Sequence, residues 1–169
     1  MADHSLRVAH MCLLSTEPSV DAGRAASIAA VHDAAEAVVG DITPEFDSGI
    51  SKAEKDKRER AAMEGMTAGG AGGRIRELWE EYESGVTPEA RFVKDCDRVE
   101  MILQALEYER EAGVDLGGFY EGVRGRMRFE QTRGWEEEVM RRREAWKRGE
   151  GGEGGEGGEG GEGGEGGGS

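Results

Sequence analysis

Ile28-Ala29-Ala30-Val31-His32-Asp33-Ala34-Ala35-Glu36-Ala37-Val38-Val39-Gly40-Asp41-Ile42-Thr43-Pro44 is a run of small and apolar residues interrupted by one imidazole and three carboxylates. Alanine is the strongest helix former, so the run predicts one helix from about Asp21 to Val39. Ile28, Val31, Ala35 and Val38/Val39 give that helix an apolar face, and Gly40 stops it where a left-handed cap is needed. His32 follows Ile28 by four positions and therefore projects from the packed face. Glu36 stands four beyond His32 and three beyond Asp33, which clusters the three polar groups. Placing them in an apolar setting costs desolvation energy unless something compensates them, and a divalent cation does so.

The rest of the chain reads as helix on both sides of this run. A first helix is expected from Asp3 to Leu14, with Leu6, Val8 and Met11 to Leu14 as its apolar positions, broken by Ser15 to Val20 with Pro18. Beyond the Asp41–Ile50 loop, Ser51 opens a charged helix with Glu54 three residues on as a capping box. Gly69 to Gly73 is a break, and Arg74 to Ser84 is a fourth helix. Thr87-Pro88 is an N-cap followed by proline at the first helical position. It starts a long helix to about Ala112, with Phe92, Cys96, Val99, Leu103 and Leu106 as apolar positions. Two shorter pieces follow, Leu116 to Met127 and Gln131 to Arg148. No run alternates long enough to predict a strand.

Of the 169 residues, the last 21 hold 14 Gly, 6 Glu and one Ser and supply no apolar side chain. Such a segment cannot form a core and is expected to be disordered, which leaves residues 1–148 as one domain. A body of that size buries roughly two-thirds of the surface of its unfolded chain, enough for one core. The net charge of −14 excludes a general binder of nucleic-acid polymers, which needs clustered Lys and Arg. No stretch approaches the length of a membrane span, and Met1-Ala2-Asp3-His4 does not read as a secretory leader. Cys12 and Cys96 both sit in apolar helical patterns, so reduced, packed thiols in a cytoplasmic or nuclear setting are expected.

Further candidates for chemistry lie outside the central run. Asp97, four after Val93 and four before Met101, falls on the inward side of the long helix, where a salt bridge to Lys94 or Arg98 would also account for it. His4 and His10 each read alone as an ordinary histidine of the first helix, and nothing raises His10 beyond a structural role. Taken together, His4, His32, Asp33 and Asp97 supply two imidazole nitrogens and two carboxylates from three helices. That set suits Mn, Fe, Co, Ni or Zn with positions left for water and substrate. Without thiolates it does not resemble a structural zinc site.

The order His, His-Asp, Asp on an all-α chain resembles the HD-domain phosphohydrolase superfamily. The resemblance extends to Val31-His32-Asp33-Ala34-Ala35-Glu36, Val39-Gly40-Asp41-Ile42-Thr43-Pro44, Leu78-Trp79-Glu80-Glu81-Tyr82-Glu83, Phe92-Val93-Lys94 and Glu100-Met101-Ile102-Leu103-Gln104-Ala105. These are similar to the HD-domain 5′-deoxynucleotidases over about His4 to Glu111, and more loosely to Arg148. The resemblance implies an HD-domain helical bundle that removes the 5′-phosphate of deoxyribonucleoside 5′-monophosphates with a divalent metal such as Mn, Co or Mg.

It further implies His4, His32, Asp33 and Asp97 as metal ligands and Glu36 and Asp41 as catalytic acids. Glu36 is the expected proton-transfer group. Glu36, Asp41 and the Ile42 carbonyl would form a second metal site, and Asp41 and Thr43 would contact substrate. By analogy with related folds, a homodimer is expected. The family pattern also has a segment before the first histidine with an arginine that grips the substrate phosphate. This chain starts three residues before His4, so an N-terminally shortened domain is expected. The competing expectation is a catalytically impaired HD-domain remnant acting as a metal-binding or interaction protein.

Overall fold

The computed structural model describes residues 2–40, 42, 49–69 and 72–150, which form helices joined by turns and irregular segments, with no strand among them. The helices are α1 (Ala2–Leu13), α2 (Ala22–Ala29), α3 (Glu36–Val39), α4 (Lys52–Met66), α5 (Gly73–Ser84), α6 (Pro88–Ala112), α7 (Gly117–Val123) and α8 (Glu130–Lys147). Capping chemistry sets several boundaries as the sequence predicts. The Asp21 carboxylate accepts from Arg24 N–H at 2.9 Å, the Ser51 hydroxyl from Glu54 N–H at 3.2 Å, and the Thr87 hydroxyl from Ala90 N–H at 3.2 Å. Gly85 (φ 59°) and Gly113 (φ 66°) end α5 and α6 in left-handed conformation.

α6 is the axis of the fold. Its N-terminal half contributes Phe92, Val93 and Cys96 to a cluster with Val8 and Cys12 of α1, Ala25, Ile28 and Ala29 of α2, and Leu78 of α5. Its C-terminal half packs Val99, Ile102, Ala105 and Leu106 against Tyr120 and Val123 of α7 and Val139 of α8. A smaller cluster joins Ala35, Ala62, Met63 and Trp79. Both cysteines are buried and free, as the sequence predicts. Three acids of α6 are fully buried, and each has partners. Asp95 accepts from the N–H groups of Arg128 (2.6 Å) and Phe129 (3.3 Å) and from the Thr132 hydroxyl (3.1 Å), which ties the start of α8 to α6. Glu109 takes two 2.7 Å hydrogen bonds from Arg143, one from Leu116 N–H and one from the Tyr120 hydroxyl. Glu100 belongs to the site below.

Three expectations need correction. In α1, Leu6 and Leu13 are exposed, as is Leu14 just beyond it, and the inward face is carried by Val8 and Cys12 alone among its fully buried positions. The helix expected from Asp21 to Val39 is also not continuous. It stops at Ala29, and residues 30–35 form successive tight turns, with i→i+3 bonds from Val31 to Ile28, Ala34 to Val31 and Glu36 to Asp33. The cause is local. His32 Nδ1 lies 2.7 Å from the Ala29 carbonyl, the acceptor that Asp33 N–H would need to continue the α-helix. Gly40 does have positive φ (78°), but its ψ of 162° makes it an extended exit rather than a left-handed cap.

Candidate metal centre

Adjacent residues of a regular helix point about 100° apart. The tight turns at 30–35 bring His32 Nε2 to 3.1 Å from Asp33 Oδ1. α1 delivers His4, whose Nε2 lies 3.6 Å from Asp33 Oδ2 and 3.2 Å from Asp97 Oδ1 of α6. The His4 and His32 ring centroids are 5.4 Å apart. One ligand atom each from His4, His32 and Asp33 fits within 4.8 Å of the others, with Asp97 alongside. The four metal ligands expected from the sequence therefore converge. The Lys94 or Arg98 salt bridge weighed for Asp97 does not form. The Asp97 carboxylate instead meets His4 and accepts a 3.1 Å hydrogen bond from Tyr82 of α5. His10 is exposed and apart from this centre.

Two observations test whether the centre suits a cation. First, His32 Nε2 is buried with no hydrogen-bond partner among the described residues. Its Nδ1 faces the Ala29 carbonyl, so Nε2 is the nitrogen turned toward the cluster. Second, the carboxylates of Asp33, Asp97 and Glu100 converge on the His4 ring. Burial alone would lower the His4 pKa, but hydrogen bonds and charges from Asp97 and Glu100 outweigh it and raise the pKa to about 10. Burial would raise the Asp97 carboxyl, yet the His4 bond, the two imidazoles and the Tyr82 hydroxyl hold it below the usual carboxylate range. Protons on imidazole thus stand where a cation would satisfy the same field. The residues fit a divalent metal.

Around the ligands lies a supporting layer that the sequence reading did not single out. Glu100, one turn after Asp97 on α6, is fully buried and bonds His4 Nδ1. Its other oxygen lies 2.9 Å from Arg7 Nε. Tyr82 is pushed far above its ordinary pKa by burial and by the charges of Asp97 and Asp33, so it remains a hydroxyl donor. Spacing did carry a signal for Glu100: it lies three positions after Asp97, inside the apolar pattern of α6. For Tyr82 no spacing rule points to Asp97, because the two meet only through the packing of α5 on α6.

The centre opens on a cleft of about 580 Å³ lined by His32, Asp33, Glu36, Ile42, Tyr82, Lys94 and residues of α4, with Trp79 in its wall. Glu36 begins α3 and faces this cleft, with its carboxylate 3.4 Å from Lys55 Nζ. Burial would lower the Lys55 pKa, but Glu59 and Glu36 raise it. Ile42 is buried beside the cleft. Asp41 and Thr43 lie outside the described residues. Asp56, Glu59 and Glu83 form a second acidic cluster in the same cleft.

Comparison with known proteins identifies the family. A family model described as an HD domain matches residues 1–137. A 5′-deoxynucleotidase of Schizosaccharomyces pombe, hdd1, is 40% identical over 153 residues, covering 85% of this chain and 76% of the relative. The human 5′-deoxynucleotidase HDDC2 is 40% identical over 132 residues, covering 75% of this chain and 64% of the relative. The chain thus spans a little under two-thirds of that relative's length. Among solved structures, a conserved hypothetical protein from Pyrococcus furiosus superposes with a TM-score of 0.67 at 31% identity, covering 83% of this chain and 82% of the other. A predicted metal-dependent phosphohydrolase from Magnetospirillum magnetotacticum gives 0.64 at 25% identity, covering 88% and 78%. With the His4, His32-Asp33 and Asp97 centre intact at the heart of the matched region, the chain belongs to the HD-domain family.

Proposed function

We propose that the protein is a metal-dependent phosphohydrolase that removes the 5′-phosphate from deoxyribonucleoside 5′-monophosphates. The observation that carries this reading is the convergence of His4, His32, Asp33 and Asp97 from separate segments, with His32 Nε2 buried, without a hydrogen bond among the described residues and 3.1 Å from Asp33. The substrate class is drawn from the relatives named as 5′-deoxynucleotidases. Mn, Co or Mg are the ions proposed, with Fe, Ni and Zn compatible with the same donors.

His4, His32, Asp33 and Asp97 hold the ion. Bound there, a divalent cation supplies Lewis acidity toward a phosphate oxygen and acidifies water. The chain's own groups do the rest. Glu36, on the cleft wall, takes the proton from the attacking water and is poised to return one to the nucleoside 5′-oxygen as it leaves. Lys55 Nζ lies 3.4 Å from the Glu36 carboxylate and helps to position it on the cleft wall. Tyr82 holds Asp97, and Glu100 holds His4, so the donors keep their aim. Asp41 and Thr43 are proposed to contact the sugar, and Glu36, Asp41 and the Ile42 carbonyl are proposed as a second cation site. The catalytic domain is proposed as residues 1–148, with the Gly-Gly-Glu segment outside it.

The test is phosphate release from deoxyribonucleoside 5′-monophosphates with added Co, Mn or Mg, run beside His32→Ala and beside ribonucleotides. Metal-dependent release that is lost in the variant and much weaker with ribonucleotides is expected. Metal binding without release from any monophosphate would sink the enzymatic reading and leave a metal-binding HD domain.

A further inference from the structure

A phosphate monoester brings close to two negative charges into the cleft, and one cation shared among carboxylate ligands does not neutralise it. Lys52, Lys55 and Lys94 all face the cleft. Two of them are already matched. Lys52 is largely exposed, with its Nζ 3.0 Å from Asp56, and Lys55 Nζ lies 3.4 Å from both Glu36 and Glu59.

Lys94 differs from both. Among the described residues no carboxylate lies within ion-pair distance of its ammonium. Its Nζ stands 4.7 Å from the centre of the Tyr82 ring and gives one long hydrogen bond, 3.4 Å, to the Glu83 carbonyl. An ammonium has three donors, so most of its capacity is unused. The stem lies across Gly85, where an added Cβ would come within 3.5 Å of Lys94 Cε. Burial pulls its pKa down, against the charge of Glu83, which marks a cation partly stripped of water and poorly compensated. Lys94 sits one helical turn before Asp97 on α6. The ring beneath its ammonium is the one whose hydroxyl bonds Asp97 Oδ2. A single tyrosine side chain thus spans from the amine to the metal ligands.

We propose that Lys94 is the phosphate anchor of this site, its ammonium binding one oxygen of the phosphate whose other oxygens face the His4, His32, Asp33 and Asp97 centre. This rests on the phosphohydrolase reading above. A lysine acts here as a point charge, which suits an oxyanion whose orientation the metal side already fixes. Lys94 places an ammonium without an ion-pair partner among the described residues inside the cleft of a strongly acidic chain.

The experiment is calorimetric titration of inorganic phosphate into the Mn-loaded full chain, comparing wild type, Lys94→Met, Lys94→Arg and Lys57→Met. Lys57 is exposed on α4 and removes the same net charge elsewhere. Metal affinity and thermal midpoint are measured for each, and turnover of a deoxyribonucleoside monophosphate in parallel. Lys94→Met is expected to weaken phosphate at least about tenfold, the scale of one charge-assisted hydrogen bond. Its metal affinity should stay within about twofold, and KM should rise more than kcat falls. Lys94→Arg should recover most of the binding, and Lys57→Met should match wild type. Phosphate binding by Lys94→Met equal to wild type overturns the anchor whatever the turnover. Loss of metal binding in both Lys94 variants overturns it too, because the lysine would then support Tyr82 and Asp97 instead. If wild type hydrolyses no monophosphate yet binds phosphate through Lys94, the substrate reading falls and the anchor stands.

Discussion

The buried Glu100 carboxylate bonds His4 Nδ1 across 96 residues of sequence, and it does so on the ring nitrogen opposite the one that faces Asp33 and Asp97. This pairing fixes which nitrogen of His4 is left for a metal. Removing such a partner typically costs 10- to 100-fold in metal affinity. Glu100→Gln keeps an acceptor but removes the charge, and is expected to weaken Mn binding by roughly tenfold. Glu100→Ala leaves Arg7 Nε without its 2.9 Å partner as well and should weaken binding further. Titration of the metal-free protein with Mn checks both, and unchanged affinity in Glu100→Ala would refute the role.

Metal uptake should release protons. Without metal, His4 has a pKa of about 10, because the bonds to Asp97 and Glu100 overcome the lowering effect of burial. A ligating imidazole must be neutral, so about one proton should leave per ion bound at pH 7–8. Calorimetry in buffers of different ionisation enthalpy measures it, and His4→Gln should abolish that component.

The same shift fixes a stability trend in the metal-free protein. The folded-state pKa of His4 is raised above its ordinary 6.5, so its contribution is complete below about 6.5 and is lost as pH rises through about 10. Chelator-treated protein should therefore show a falling urea midpoint from pH 7 to 10. His4→Gln should show a flatter profile over that window.

Glu36→Gln separates chemistry from metal binding. General acid–base groups contribute about 10²- to 10⁴-fold, so kcat should fall by that order while tight binding of one ion persists. Equal loss of the first metal in Glu36→Gln and His32→Ala would show that Glu36 is a ligand of that ion instead.

Far from the cleft, Arg143 and Glu109 form a two-pronged pair at 2.7 Å, with Glu109 fully buried. The Arg143 bonds outweigh desolvation and hold the Glu109 pKa at about 2. Arg143→Met leaves the buried carboxylate with only the Leu116 N–H and the Tyr120 hydroxyl, and breaking a buried pair costs up to about 3–5 kcal/mol. Denaturant unfolding checks the loss. The double change Glu109→Gln with Arg143→Met should recover part of it.

The sequence carried the candidate ligands, which converge in the fold, and the helical class, because both are local signals. Thr87-Pro88 and Ser51 cap the helices they announce, and His32-Asp33 stands out as polar groups in an alanine run. The interruption at residues 30–35 was not legible, since alanine propensity favours helix and the competing contact is a side-chain bond from His32 to the Ala29 carbonyl. Tyr82 and Arg7 were missed for another reason. Their partners, Asp97 and Glu100, sit on a different helix, and only packing brings them within 3.1 and 2.9 Å. Leu6 shows the limit of periodicity: it fits a helical stripe, yet α6 covers only the neighbouring face of α1, and Leu6 stays exposed.

The tight turns at residues 30–35 carry an evolutionary constraint. Each residue in such a segment advances the chain by about 100–120° of rotation. Substitutions at its outward positions leave that phase untouched, but a single insertion or deletion would swing His32 and Asp33 away from His4 and Asp97. It would also pull Ala35 out of its contact cluster with Met63 and Trp79. Descendants of this chain can therefore vary here in composition while being held to one fixed length.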